Sequence, residues 1–175
     1  MAIITLRGRI ARALDFFRKP NKYFQIGGTA PWFDPLNVET DDSNPPYPGF
    51  TDTIPDVFAF KKVSQQAFVV QDVSGTISYR GEKWRMVQEE DVLMEGARWV
   101  YCACYLEYDE VPTDISYRKI GICTGVVLSS SVLPGKQVLF PPDVADEGLL
   151  EVLDYRTPIY RSLDQREYLA VILEF

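Results

Sequence analysis

Tyr23-Phe24-Gln25-Ile26-Gly27-Gly28-Thr29-Ala30-Pro31-Trp32 decides how the rest of the chain is read. Apolar and polar residues alternate around Phe24-Gln25-Ile26, as a half-covered strand requires, and the pattern breaks on a glycine pair. Gly27-Gly28 reads as a tight turn, because it lacks the Walker or dinucleotide spacing and no Lys-Ser or Lys-Thr follows. Trp32 then enters a segment where Pro, Asp and Asn forbid regular structure, so it is expected to act as an anchor. The stretch is a hinge between a basic helix before it and a β body after it.

Upstream, Ile3, Leu6, Ile10, Leu14 and Phe17 fall at helical spacing, with Arg7, Arg9, Arg12 and Arg18 mostly on the other faces. The spacing predicts an amphipathic helix of roughly four turns, weakened by Gly8 and ended by Pro20. Residues 1–22 carry six basic side chains (Arg7, Arg9, Arg12, Arg18, Lys19 and Lys22) against Asp15, a net of +5. The whole chain is −7, so the remainder is −12. Such asymmetry sends the two parts to different neighbours. The helix can dock on its own acidic body or lie on a protein partner, a membrane or nucleic acid. No aromatics interleave with the basic residues in the manner of a single-strand binder.

Downstream, Pro31 to Pro55 holds six of the twelve prolines, five acidic residues (Asp34, Glu39, Asp41, Asp42 and Asp52) and no basic one. A connection this long is usually functional or wrapped on a partner. Asp41-Asp42-Ser43-Asn44 lacks the alternate spacing and distal glutamate of a calcium loop and reads as a solvated turn. From Ile54 the pattern is β, with runs at Val57–Phe60, Ala67–Val70, Thr76–Tyr79 and Trp84–Val87, and Gly75 and Gly81 at turns. Arg98 to Tyr108 is expected to be the longest strand, central and covered on both faces. Lys119–Leu128 follows, its glycines permitting a bulge or close packing. Val138–Phe140, Gly148–Tyr155, Ile159–Arg161 and Tyr168–Phe175 complete the set, and the apolar last run is expected to be paired inside a sheet. The expected organisation is a helical arm over 1–20 and one mostly β domain over 21–175.

At 175 residues the chain buries a core without disulfide or metal support. Histidine is absent, which removes the commonest general base and metal ligand together. Cys102 and Cys104 point to one face of an apolar strand, and with Cys123 they make an odd count. Buried reduced thiols are favoured over a metal site, since further zinc ligands are not evident. A reducing compartment follows. The N-terminus is too short and too charged for a signal sequence, and no run of about 18 apolar residues exists, so a soluble protein without its own export signal is expected. Ser129-Ser130-Ser131 has no glycine elbow and no base to activate a hydroxyl. Glu89-Glu90-Asp91, read as extended chain, points successive carboxylates to opposite sides and supplies no fixed acid/base pair. Catalysis and cofactors are therefore not expected.

Three segments carry a likeness to a known family. The first is Phe24-Gln25-Ile26-Gly27-Gly28-Thr29-Ala30-Pro31-Trp32, with Pro45-Pro46-Tyr47-Pro48 and Thr51-Asp52-Thr53 ahead of Lys61-Lys62-Val63. The second is Tyr117-Arg118-Lys119-Ile120-Gly121-Ile122-Cys123-Thr124. The third is Tyr155-Arg156-Thr157-Pro158-Ile159, then Asp164-Gln165-Arg166-Glu167 and terminal Ile172-Leu173-Glu174-Phe175. In their order and C-terminal placement they resemble the baseplate wedge subunits of contractile-tailed, T-even-like bacteriophages, here as a shortened member. The basic N-terminal helix has no counterpart in that likeness. The resemblance implies a structural virion protein of the tail baseplate, mostly β, assembled in host cytoplasm and acting by binding other wedge proteins, with a homodimer as a further implication.

The expected fold is mainly β (α+β): an antiparallel, sandwich-like body with an N-terminal amphipathic helix and a long proline-rich loop. Arg7, Arg9, Arg12, Arg18, Lys19, Trp32, Asp41, Asp42 and Tyr47 are the interface candidates. Catalytic, metal and cofactor residues are none, and nucleic acid and membrane are not expected partners. Two rivals stand beside this reading. One is a β module that stacks carbohydrate on Trp32, Trp84, Trp99 and the tyrosines. The other is a tail-neck or tail-completion protein.

Overall fold

A computed structural model describes residues 2–30, 45, 49, 51–111, 115–133, 135–162 and 164–175. The elements in chain order are α1 (Leu6–Arg18), β1 (Tyr23–Gly27), β2 (Val57–Lys62), β3 (Gln65–Gln71), β4 (Ile77–Tyr79), β5 (Glu82–Val87) and β6 (Trp99–Leu106). They continue with β7 (Ile115–Thr124), β8 (Val127–Leu128), β9 (Val138–Leu139), β10 (Val144–Asp146), β11 (Leu149–Arg161) and β12 (Glu167–Glu174). The protein is mostly β, with antiparallel sheets and one N-terminal helix. The chain forms two compact units.

The first unit gathers Met1–Lys19, Val63–Tyr105 and Glu167–Phe175. Its sheet runs β12-β6-β3-β5-β4, and β12 also lies beside β4, which curls the sheet towards closure. Alternation sorts its side chains onto two faces. Val69, Trp84, Tyr101 and Ala103 cluster on one, with Trp99 and Ile172 against them. Helix α1 belongs to this unit. The Thr5 hydroxyl caps it by accepting from the Gly8 amide at 3.2 Å, and it stops two residues before Pro20. Ile10, Ala13 and Phe16 are buried, the Phe17 ring stacks on Phe68 at 4.2 Å, and Phe16 meets Phe175 at 5.3 Å. Gly75 is a spatial necessity, since a Cβ there would lie 2.2 Å from the Trp84 backbone.

The second unit is Pro20–Lys62 with Leu106–Arg166. Its sheet runs β11-β7-β1-β2-β9, and β8 pairs with β10 as a separate two-stranded ribbon. The opening strand β1 sits in the middle, with Tyr23 opposite Lys62 on one side and Cys123 on the other. All five of its residues are buried. Tyr23, Phe60, Cys123, Val126 and Leu139 form one core cluster. Gly121 is the close-packing glycine foreseen in β7, because Leu150 Cδ1 would lie 2.5 Å from an added Cβ.

Two expectations are corrected. The longest strand is β11, at 13 residues, followed by β7 at 10, whereas β6 has 8. Thr157-Pro158 reads as a break, but β11 absorbs it with a register shift between Tyr155 and Ile159. A proline at a bulge on an edge strand removes no ladder bond the sheet needs. The second correction concerns Glu89–Asp91, which is a 3-10 turn and not extended chain. Its carboxylates step around an axis instead of alternating. Most other strands follow the expected runs, but Lys119–Leu128 divides between β7, which begins at Ile115, and β8, and β10 is not among the expected strands; the terminal β12 is paired with β6, with the Phe175 amide bonded to the Arg98 carbonyl at 3.1 Å.

Candidate interaction surfaces

Helix α1 places its basic residues differently from one another. Arg9 reaches Glu174 at 3.6 Å, Arg18 Nε donates to Glu89 Oε1 at 2.9 Å, and Lys19 lies 3.5 Å from Asp15 one helical turn back. These pairs are largely exposed, so each contributes less than about 1 kcal/mol. Arg7 and Arg12 are exposed and make no ion pair among the described residues. The acidic body thus neutralises part of the arm and leaves two cations facing outwards. Trp32, Asp41, Asp42 and Tyr47 lie outside the described residues.

The base of the acidic, proline-rich segment has a defined chemistry in the second unit. Asp56 accepts from Lys119 Nζ at 2.7 and 2.8 Å and from the Ala30 amide at 3.1 Å. The Ala30 carbonyl accepts from Lys119 at 3.1 Å and from Arg118 Nη2 at 2.9 Å, and the Gly28 amide donates to the Asp56 carbonyl at 3.1 Å. Both exits of the segment are tied to one buried cation pair: Arg118 and Lys119 are 4% and 3% exposed. A second buried cation, Lys61, donates to Glu110 at 2.6 Å. A charge taken out of water needs such a partner.

Sequence reasoning used Lys61, Arg118 and Lys119 only as part of the family likeness and named none of them, nor Asp56, as a site residue. The signal was present in the dipeptides Lys61-Lys62 and Arg118-Lys119. Adjacent residues in a strand face opposite sides, so at least one of each pair enters a covered face, and in Arg118-Lys119 both are buried.

None of the three cysteines is in a disulfide, and all are buried. Burial pushes the Cys123 thiol up to about 12, and its Sγ donates to the Tyr23 carbonyl at 3.4 Å. Among the described residues no group of Cys, Asp and Glu is placed to hold a metal, and no helix is long and apolar enough to cross a membrane. Trp84 is buried and meets Trp99 edge to face, at 5.7 Å and 66°. That pair offers no flat platform on which a sugar ring could stack.

Several large apolar side chains of the first unit stay in solvent, among them Ile3, Leu6, Leu93 and Met94.

Compared with known proteins, the chain matches over residues 1–175 the family described as baseplate wedge 3 tail fiber network component. The match therefore runs through α1 as well as the strands. The chain is also 32% identical over 172 residues to Virion protein 3 of Enterococcus phage phiEF24C, covering 94% of this chain and 90% of that one. A helix clamped to a β body, two cations turned outwards and a braced acidic segment suit a part made to be built into a larger particle, and by the full-length match the chain belongs to the baseplate wedge 3 tail fiber network component family of phage structural proteins.

Proposed function

We propose that the chain is a non-catalytic connector of the baseplate wedge, working by protein–protein contact through the outer face of α1 and the acidic segment braced at Ala30 and Asp56. The observation that carries this reading is the fixed position of α1. Its apolar stripe is buried against Phe68 and Phe175, so Arg7 and Arg12 are presented on a rigid support and not on a loose tail. Preorganised cations steer an acidic neighbour and set its register with little ordering cost on binding. Arg9, Arg18 and Lys19 act mainly in holding the helix, and Trp32, Asp41, Asp42 and Tyr47 belong to the segment that meets the neighbour. Buried thiols outside any disulfide suit assembly in the reducing host cytoplasm.

Deleting residues 1–19 is a poor test, because it strips Ile10, Ala13 and Phe16 from the core. The better one is complementation of phage that lack the chain. Wild type is expected to restore complete baseplates, and Arg7→Glu, with an unchanged melting temperature, to restore fewer. Complete, infective particles formed without the chain would refute the proposal.

A further inference from the structure

Strand β11 ends the sheet of the second unit. One side of it is bonded to β7, and among the described residues no strand is bonded to the other. Every strand residue except proline carries a backbone donor and acceptor, and these alternate between the two sides. At about 3.3 Å per residue, the 13 residues of β11 set out roughly 43 Å of edge. The strand at the opposite end of the sheet, β9, has only two residues, both buried. Edges of soluble sheets are ordinarily short, like β9, or are guarded by lysine and other charged side chains.

The start of β11 has neither protection. Residues 149–153 read Leu-Leu-Glu-Val-Leu, without lysine. Pairing with β7 sets Leu150 and Leu153 opposite Cys123 and Gly121 on one face, and Leu149 and Val152 opposite Thr124 and Ile122 on the other. Both faces are thus apolar, whereas a strand with one face in water alternates. Leu149 is 57% exposed, and the other three are only partly covered. The one charged side chain of the run, Glu151, is turned in to accept from Thr124 Oγ1 at 2.9 Å. Register shifts between Leu150 and Val152 and between Tyr155 and Ile159, the second containing Pro158, interrupt the strand. They confine pairing to a short segment and disfavour open-ended stacking.

We infer that residues 149–153 receive an extended segment of another baseplate protein, which adds to the sheet as a strand beyond β11. Main-chain hydrogen bonds hold the segment, and its side chains cover Leu150 and Leu153 on one face and Leu149 and Val152 on the other. The segment is therefore about five residues long, apolar on both faces and free of proline. A sugar, a lipid or a nucleic acid has no ladder of amide donors and acceptors to match the edge. A second copy fits poorly, since antiparallel pairing of this run with itself, centred on Glu151, sets two carboxylates opposite one another. The inference rests on the reading of the chain as an assembly component and adds a surface which that reading does not use.

The test follows amide hydrogen exchange of the full chain, alone in solution and in baseplates purified from phage. In the isolated chain the outward amides among residues 149–153 are expected to exchange at least about 100-fold faster than those bonded to β7. In the particle the same outward amides are expected to slow by a similar factor. Leu149→Lys puts the residue that guards natural edges at a side chain already in solvent. It is expected to leave the melting temperature unchanged and to lower incorporation into baseplates by more than about tenfold. Outward amides already slow in the isolated chain overturn the inference, whether the cover proves to be the chain itself or, where dilution speeds them, a second copy. Outward amides that stay fast in the particle, or normal incorporation of Leu149→Lys, overturn it as well. A chain that is required for infective particles while its edge stays fast overturns the edge alone, whereas infective particles formed without the chain overturn the assembly role.

Discussion

Replacing Asp56 by alanine isolates the charge that holds the base of the acidic segment. Lys119 sits 2.7 and 2.8 Å from the two Asp56 oxygens, and its side chain is only 4% exposed against 21% for the carboxylate. At an effective dielectric near 20 and a separation of about 3 Å, the attraction is roughly 5 to 6 kcal/mol, most of it offset by the desolvation of both groups. The intact pair therefore adds little net stability. Its halves are another matter. Without Asp56, Lys119 loses both of its carboxylate hydrogen bonds, and removing the charged partner of a buried cation costs about 3–5 kcal/mol. At about 2–4 °C per kcal/mol for a chain this long, the melting temperature falls by roughly 6–20 °C. Adding Lys119→Met removes the stranded charge, so the double variant is expected to be more stable than Asp56→Ala alone, recovering all but about 1–2 kcal/mol. Urea unfolding followed in parallel by tryptophan fluorescence and far-UV circular dichroism measures both. A cost below about 1 kcal/mol for Asp56→Ala, or strict additivity in the double variant, refutes the argument.

Three other outcomes follow from the geometry. Phe16→Ala removes a ring that is 1% exposed and packed on Phe175, and urea titration is expected to show a loss of about 3–5 kcal/mol, against less than about 0.5 for Arg7→Ala. Cys123 is expected to resist alkylation in the native protein at pH 8 and to label fully in denaturant, as mass spectrometry of the modified thiols will show, because burial holds it up at about 12. Hydrogen bonds from Ser74, then Arg85, hold the Asp72 carboxyl down at about 2. Its contribution to stability is thus present above about pH 4 and lost as pH falls towards 2, and Asp72→Asn is expected to flatten that part of the melting-temperature profile.

Much of the architecture is readable along the chain because local patterns agree with the fold. The spacing of Ile10 and Phe17, with Pro20 beyond, marks α1, and alternation with turn glycines marks most strands. Composition also counts: the absence of histidine and the odd, strand-embedded cysteines already turn the reading away from catalysis and disulfides. The limits of β11 are harder to read. Thr157-Pro158 disfavours a strand locally, and only pairing with β7 on one side carries the strand through. The 3-10 turn at Glu89–Asp91 is hidden for a similar reason, since three acidic residues have no strong local preference and Arg18 lies 71 positions away.

The candidate site divides along the same line. Sequence establishes that a basic helix precedes an acidic body and that Pro31 to Pro55 is acidic and rich in proline, because charge and proline content are properties of the residues themselves. Which charges are spent inside the protein depends on partners far apart in the chain: Glu89 for Arg18, Glu174 for Arg9, Asp56 for Lys119. The same holds for the apolar residues. Ile3, Leu6 and Ile10 are equally apolar in the sequence, yet Ile10 is buried and Ile3 and Leu6 are exposed, because only the fold decides which of them is covered.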